Sequence, residues 1–102
     1  MLTAEEVSEK YKKDVRKILY FDDNTTIVLF KHLYKISDPD NVCCLDKNGQ
    51  IRWTIMPDFS NPEQHYVDII ISDGWLIAFN ISTIKYTIDP QTGVVFHFIM
   101  TK

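Results

Sequence analysis

The stretch VCCLDKNGQIRW, residues 42–53, has the pattern of a complete β-hairpin and decides the fold class. The run VCCL is apolar, DKNG is a turn, and QIRW alternates, with Ile51 and Trp53 on one face. The pair Asn48-Gly49 supplies the positive φ angles that a tight hairpin needs. Because an isolated hairpin is only marginally stable, this one must belong either to a large repeating sheet protein or to a small domain with more strands.

Two further hairpins follow along the chain. In the first, HYVDIIIS and WLIAFN flank a DG turn, and Trp75, Ile77 and Phe79 share one face. We assign this face of Trp75, and that of Trp53, to the core, with an anchor for a ligand or a partner as the alternative. In the second hairpin, IKYTID and VVFHFIM flank the turn PQTG. With strands at 18–21 and 25–33, the chain has about seven or eight antiparallel strands in a meander.

The N-terminal segment has the pattern of a helix. Thr3 and Glu6 form a capping box, and apolar residues then recur at steps of three and four. This apolar stripe consists of Ala4, Val7, Tyr11, Val15 and Ile18. We therefore predict an α+β, mostly β protein with a single domain over residues 1–102, a helix at about 3–17 and a sheet at about 18–102.

Composition and cysteine usage predict a soluble cytoplasmic protein. The chain has 102 residues, of which 45% are hydrophobic and 25% charged, and no apolar run is long enough for a membrane helix. The N-terminus is polar from Thr3 onward, so we expect no secretory signal. The two cysteines, Cys43 and Cys44, are adjacent and point to opposite faces of a strand. We expect two free thiols that act as small apolar residues in a reducing compartment.

The sequence offers no recognisable catalytic, metal or cofactor set. The histidines, His32, His65 and His97, lack the spacing of zinc ligands, and the chain has no P-loop, G-x-G-x-x-G, G-x-S-x-G or H-E-x-x-H motif. We therefore predict that the protein is not an enzyme and binds no cofactor and no metal. A pair of one cysteine with a remote histidine stays open as the alternative.

Charge is unevenly distributed and points to a basic protein partner. Residues 1–17 carry five bases against four acids, whereas residues 18–73 carry four bases against nine acids. This balance disfavours nucleic-acid binding by the body of the domain. Most of the acids lie in turns, but Asp58, Glu63 and Asp68 do not have that explanation. Together with two aromatics they form our candidate partner-binding set, which is Asp58, Phe59, Glu63, Tyr66 and Asp68. The alternative is a solvated loop whose Phe59 covers the end of the core.

The opening hairpin recurs later in the chain. LDKNGQIRW returns as IDPQTGVVF, with glycines 44 positions apart, at Gly49 and Gly93. The pattern apolar-Asp-x-x-(x)-Gly-x-apolar-x-aromatic resembles the hairpin of the pyrroloquinoline-quinone-type propeller repeat. A closed propeller needs at least about four blades, and this chain has room for two at most. The resemblance therefore implies a short, partial-propeller-like sheet and no quinone cofactor.

The order of elements is also similar to that of small bacterial immunity proteins that accompany polymorphic toxins, including those of contact-dependent growth inhibition. The shared layout is an N-terminal helix, a meander, an L-D-x-N-G-x-I-x-W hairpin, an acidic middle and a final I-D-P-x-T-G hairpin. The residues that match the two hairpin motifs are Leu45, Asp46, Asn48, Gly49, Ile51, Trp53, Ile88, Asp89, Pro90, Thr92 and Gly93. The resemblance implies a cytoplasmic protein that neutralises a cognate protein toxin.

We therefore expect a non-enzymatic immunity protein that binds a basic toxin, such as a nuclease domain, and binds neither nucleic acid nor membrane. We expect it to be a monomer or a weak homodimer. One alternative is a scaffold or assembly module that associates through a sheet edge. Another is an enzyme or small-molecule carrier with a pocket between the helix and the sheet.

Overall fold

The computed structural model describes residues 2–31, 41–55, 66–80 and 84–100. These residues form one helix and eight strands, which confirms the predicted α+β, mostly β class. No helix in the described ranges is both long and apolar enough to cross a membrane. The elements are α1 (Ala4–Tyr11), β1 (Val15–Asp22), β2 (Thr25–Phe30), β3 (Val42–Leu45), β4 (Ile51–Thr54), β5 (Tyr66–Ser72), β6 (Trp75–Asn80), β7 (Ile84–Ile88) and β8 (Val95–Met100).

Helix α1 begins as predicted. Thr3 is its N-cap: the Thr3 hydroxyl accepts a hydrogen bond from the Glu6 amide, and the Glu6 carboxylate accepts one from the Thr3 amide. The two bonds satisfy amides that would otherwise have no partner within the helix.

The end of the predicted helix is wrong, because the helix stops at Tyr11 and not near residue 17. Lys12 adopts the left-handed conformation, with φ of 56°, and turns the chain. Val15 and Ile18, which continue the apolar stripe, lie in β1 instead. Strand pairing decides this boundary, since β1 is hydrogen-bonded to β2 from Val15 onward.

The eight strands form two sheets, not one continuous meander. Sheet A has the order β1-β2-β3-β4 and sheet B the order β5-β6-β7-β8, and every pair is antiparallel. Each sheet alone therefore has the up-and-down topology of one propeller blade.

The two sheets are structural repeats of each other. Gly49 closes the β3–β4 hairpin and Gly93 the β7–β8 hairpin, which is the last hairpin in each sheet. Both final hairpins also carry a register irregularity one pair from the turn. The equivalent pairs are Cys44–Trp53 and Leu45–Ile51 in sheet A, and Thr87–His97 and Ile88–Val95 in sheet B. His97 therefore occupies in sheet B the place that Trp53 occupies in sheet A.

Each sheet has two faces, and we name them by how the two sheets pack on each other. We call the side of sheet A that packs on sheet B its front face, and the opposite side its back face. In sheet B, the front face is the side whose strand pairs are equivalent to those on the front face of sheet A, and the other side is its back face. The front face of sheet A packs on the back face of sheet B and forms the main core. This core includes Ile27, Leu29, Cys44, Trp53 and Ile55 from sheet A and its flank, and Ile69, Leu76, Ala78, Tyr86 and Ile88 from sheet B.

Helix α1 covers the back face of sheet A. Val7 is buried there against a second apolar cluster. That cluster consists of Val7, Val28, Phe30, Cys43 and Leu45. The layers are therefore helix, sheet A and sheet B, and no described helix or strand covers the front face of sheet B.

Candidate protein-binding surface

A tryptophan fixes the two sheets relative to each other. Trp53 is buried on the front face of sheet A, and its Nε1 donates a hydrogen bond of 3.0 Å to the Pro90 carbonyl in the β7–β8 turn. The indole also packs on Gly93, where a Cβ would lie only 2.5 Å from Trp53 Cε3. The repeated hairpin of sheet A is thus held on the repeated hairpin of sheet B.

Two polar side chains add to this joint. Arg52 donates from Nη1 to the Thr25 hydroxyl at 2.7 Å and from Nη2 to the Gln91 carboxamide oxygen at 3.2 Å. Asn41 is fully buried; its Nδ2 donates to the Tyr66 carbonyl at 2.8 Å, and its Oδ1 accepts from the Tyr66 amide at 3.0 Å. Asn41 therefore joins the chain before β3 to the first residue of β5.

The front face of sheet B carries six apolar side chains beside Thr87 and His97, and no described helix or strand covers it. The pairs Ile70–Ile77 and Leu19–Ile27 occupy equivalent positions in the two sheets. In sheet A, Ile27 is buried and Leu19 partly buried against the other sheet. In sheet B, Ile77 is also buried, but Ile70 is 38% exposed. The apolar residues of the face are Ile70, Trp75, Ile77, Phe79, Phe96 and Ile99.

An aromatic pair stands at the turn end of this face. The rings of Trp75 and Phe96 are 4.9 Å apart, and Phe96 is 71% exposed. Ile77, in the middle of the face, is only 5% exposed. Large aromatic side chains in an exposed apolar patch are enriched among residues that anchor a protein partner.

The hairpin turns at this end of the molecule are acidic. In each meander both turns lie at one end, and the contacts of Trp53 and Arg52 bring the turns of the two sheets to the same end. The acids in these turns are Asp22, Asp23, Asp46, Asp73 and Asp89. A hydrogen bond from the Asn24 amide lowers the pKa of Asp22, and one from the Gln50 amide lowers that of Asp46, so both carboxylates are charged near neutral pH.

Of the five predicted partner-binding residues, three lie outside the described residues: Asp58, Phe59 and Glu63. Asp68 lies on β5 with a half-exposed side chain, and its Oδ1 pairs with Lys17 Nζ at 3.0 Å. Asp68 shares the front face with Phe79, its pairing partner on β6.

The prediction that Tyr66 shares a face with Asp68 is wrong. Tyr66 is buried in the core, 5.7 Å from the ring of Tyr86 in an edge-to-face contact. The register shifts between Tyr66 and Asp68, so the strict alternation of faces fails at Val67. Tyr66 is consequently part of the fold and not of an exposed surface.

The described side chains do not bring a thiol together with a histidine. Burial raises the pKa of Cys43 to about 12 and that of Cys44 to about 11, so both thiols are protonated near neutral pH. His97 is exposed on sheet B, whereas Cys43 faces α1 and Cys44 lies between the sheets. Within the described ranges there is also no group of three or more side chains of the metal-binding types.

Two small surface cavities lie near the helix. One, of about 140 Å³, is lined by residues that include Lys10, Tyr11 and Gly49. The Gly49 carbonyl accepts hydrogen bonds from the side chains of Lys10 and Tyr11. The other, of about 200 Å³, lies beside Tyr20 and Asp22. Both are smaller than the roughly 300 Å³ at which ligand pockets usually begin.

The comparisons with known proteins place the chain in one family. A model of the family described as a domain of unknown function, DUF7957, matches residues 1–98, so the chain belongs to that family. No curated protein and no solved structure matches the chain.

Proposed function

We propose that this member of the DUF7957 family is a non-enzymatic protein-binding domain whose partner packs on the front face of sheet B. One observation carries the proposal: no described helix or strand covers the front face of sheet B, although its register-equivalent in sheet A is a packed interface. Apolar side chains that stay exposed on a sheet face, such as Ile70, Phe96 and Ile99, would gain hydrophobic free energy if a partner covered them.

The composition of the face supports a protein as the occupant. Ile77 in the middle of the face is buried, whereas Phe96 and Ile99 are exposed. Asp68 and Lys85 lie at its far end, where polar groups can remain partly in water. An apolar centre with a polar rim is the usual anatomy of a protein–protein interface.

The charge around the face supports a basic partner. The acidic turns border the Trp75–Phe96 pair, with Asp73 beside Trp75 and Asp89 at the end of β7. Carboxylates at the rim attract a basic protein over distances of about a Debye length and raise the association rate more than the final affinity.

The specific role we propose is neutralisation of a cognate toxin in the cytoplasm. The support for this step is the resemblance to immunity proteins together with the acidic rim. A toxin that acts on nucleic acid is basic because it binds phosphates, and such a toxin matches this surface in charge.

Co-expression tests the proposal directly. The protein is expressed with the C-terminal domain encoded immediately upstream of its gene, growth rescue is scored, and the purified pair is titrated by calorimetry. We expect a one-to-one complex of nanomolar strength, about −12 kcal/mol. Replacing Phe96 by Lys should weaken binding by roughly 100-fold, since it puts a charge into the apolar contact and repels a basic partner.

The matched control is Ile51→Lys, which adds the same charge at a side chain of sheet A that is 52% exposed. This variant should bind like the unmodified protein. Equal loss of binding in both variants, or no loss in Phe96→Lys, would contradict the proposed surface. A complex that forms without rescuing growth would be consistent with the proposed protein binding but would refute the toxin-neutralising role.

A further inference from the structure

Three of the four edge strands in the two sheets carry features that oppose pairing with another strand. Strand β1 bears Arg16 and Lys17, and β5 bears Asp68 together with its register shift. Strand β4 has only four residues and includes Arg52. Charges, irregularities and short length are the usual protection of exposed sheet edges.

The fourth edge, β8, has almost none of this protection. Its sequence, VFHFIM, contains no lysine, arginine, carboxylate or proline. It is the last strand of sheet B and pairs with β7. Two of its apolar side chains are well exposed, Phe98 at 59% and Ile99 at 45%. Its only irregularity lies near its start, so the segment from His97 onward is in regular register with β7.

We propose that β8 pairs in antiparallel fashion with β8 of a second copy, so that two B sheets become one eight-stranded sheet. The reason for a second copy is self-complementarity. A two-fold axis near Phe98 sets one uncharged strand beside an identical one, and no like charges meet. A charged or proline-containing segment of another protein would lack this match.

Side-chain packing favours the same arrangement. Phe98 faces the side of sheet B that carries Tyr86, and the two rings are 6.0 Å apart. Phe98 is more than half exposed although it is on the core side of sheet B. In the paired sheet, the Phe98 ring of each copy lies beside that of the other and shields it from water.

The pairing closes at two copies and leaves the front faces free. Each copy contributes its β8 edge once, and the other three edges keep their protection. Because the contact involves only the six residues of β8 from each copy, we expect it to bury less than the roughly 1,200 Å² of a standard stable interface. The dimer should therefore be weak, with a dissociation constant on the order of 100 μM. The inference does not depend on the proposed partner-binding function.

Sedimentation velocity on the full chain tests the pairing. Between about 10 μM and about 1 mM, we expect the weight-average mass to rise from the 12.0 kDa of one chain toward twice that value. Phe98→Lys should hold the mass at that of one chain, because the two-fold axis brings the new lysines together. Ile99→Lys, at an exposed position, is a second disrupting variant, and Ile51→Lys on β4 is the control that should dimerise normally.

Hydrogen exchange identifies the surface involved. Amides in residues 94–100 should exchange several-fold more slowly at the high concentration than at the low one, while those of β4 should not change. A constant mass of 12.0 kDa for the unmodified chain would overturn the inference. So would a dimer that Phe98→Lys and Ile99→Lys leave intact, or protection of residues 94–100 that appears only when a different protein is added.

Discussion

The indole of Trp53 rests on the backbone of Gly93, across the interface between the two sheets. A Cβ at Gly93 would approach Trp53 Cε3 to 2.5 Å and Cδ2 to 2.6 Å, and the same glycine has φ of +76°. Only glycine meets both requirements without strain. This contact joins sheet A to sheet B. His97 holds the equivalent position in sheet B, and the described part of the chain contains no third sheet for it to contact.

Replacing Gly93 by Ala should destabilise the protein strongly. The left-handed backbone costs about 1 kcal/mol for any side chain, and the clash with Trp53 adds roughly 1–3 kcal/mol of overpacking. Gly74→Ala is the matched control, because Gly74 has φ of +82° but no atom within 4 Å of its added Cβ. Urea unfolding should show a loss of about 1 kcal/mol for Gly74→Ala and clearly more for Gly93→Ala. Equal losses would mean that the Trp53 contact adds nothing.

Replacing Asn41 by Ala should also be costly. Its side-chain amide bonds the backbone carbonyls of Phe30 and Tyr66 and the Tyr66 amide, all in the buried joint between the sheets. Removing these bonds should lower the free energy of unfolding by about 3 kcal/mol. Asn48→Ala, in an exposed turn, should change it by about 0.5 kcal/mol or less. If chemical denaturation gives similar midpoints for both variants, the amide bridge is not important for stability.

The two thiols should make the fold sensitive to alkaline pH. Their pKa values are raised in the folded protein, to about 12 for Cys43 and about 11 for Cys44, from an ordinary value of 9.0. The unfolded chain therefore loses these protons first, so the stabilising contribution is complete below about pH 9 and declines as the pH rises toward 11 and 12. Denaturation midpoints measured under reducing conditions should fall less steeply above pH 9 in the Cys43→Ala, Cys44→Ala double variant. Parallel pH profiles would contradict this.

Tyr66 and Asp68 should respond to mutation in opposite ways. Tyr66→Ala removes a buried ring and should cost about 3 kcal/mol or more of unfolding free energy. Asp68→Ala removes an exposed ion pair with Lys17 and should change stability by less than about 1 kcal/mol. Thermal melts of the two variants check this. A stable Tyr66→Ala protein would restore Tyr66 as a candidate for the binding surface.

Much of the fold follows from short-range patterns. Asp73-Gly74 marks a hairpin because both residues adopt positive φ angles that few other residues accept. At Asn48-Gly49 the prediction is half right, since only Gly49 has a positive φ. The recurrence at Gly49 and Gly93 correctly indicated a repeat, and the structure shows that the repeating unit is a four-stranded sheet.

The errors arise where tertiary contacts override local pattern. Val15 and Ile18 fit a helical stripe equally well, and only pairing with β2 places them in a strand. A single irregularity at Val67 reverses the faces of Tyr66 and Asp68, which alternation cannot foresee. The sequence pattern assigns the shared face of Trp75, Ile77 and Phe79 to the core, but in the structure this face lies outside the main core, and Trp75 and Phe79 are only partly buried. An apolar pattern does not reveal whether another layer covers the face. That information resides in the packing of the two sheets.

The most direct test of the proposed binding surface is an NMR titration that follows isoleucine δ1 methyl groups as the purified upstream-encoded domain is added. Isoleucines report on every relevant location: Ile70, Ile77 and Ile99 on the front face of sheet B, Ile27 and Ile84 in the core, and Ile51 on the exposed edge of sheet A. We predict that the front-face methyl signals shift or broaden while that of Ile51 stays in place. Changes centred on Ile51, with Ile70 and Ile99 unaffected in a complex that forms, would contradict the account.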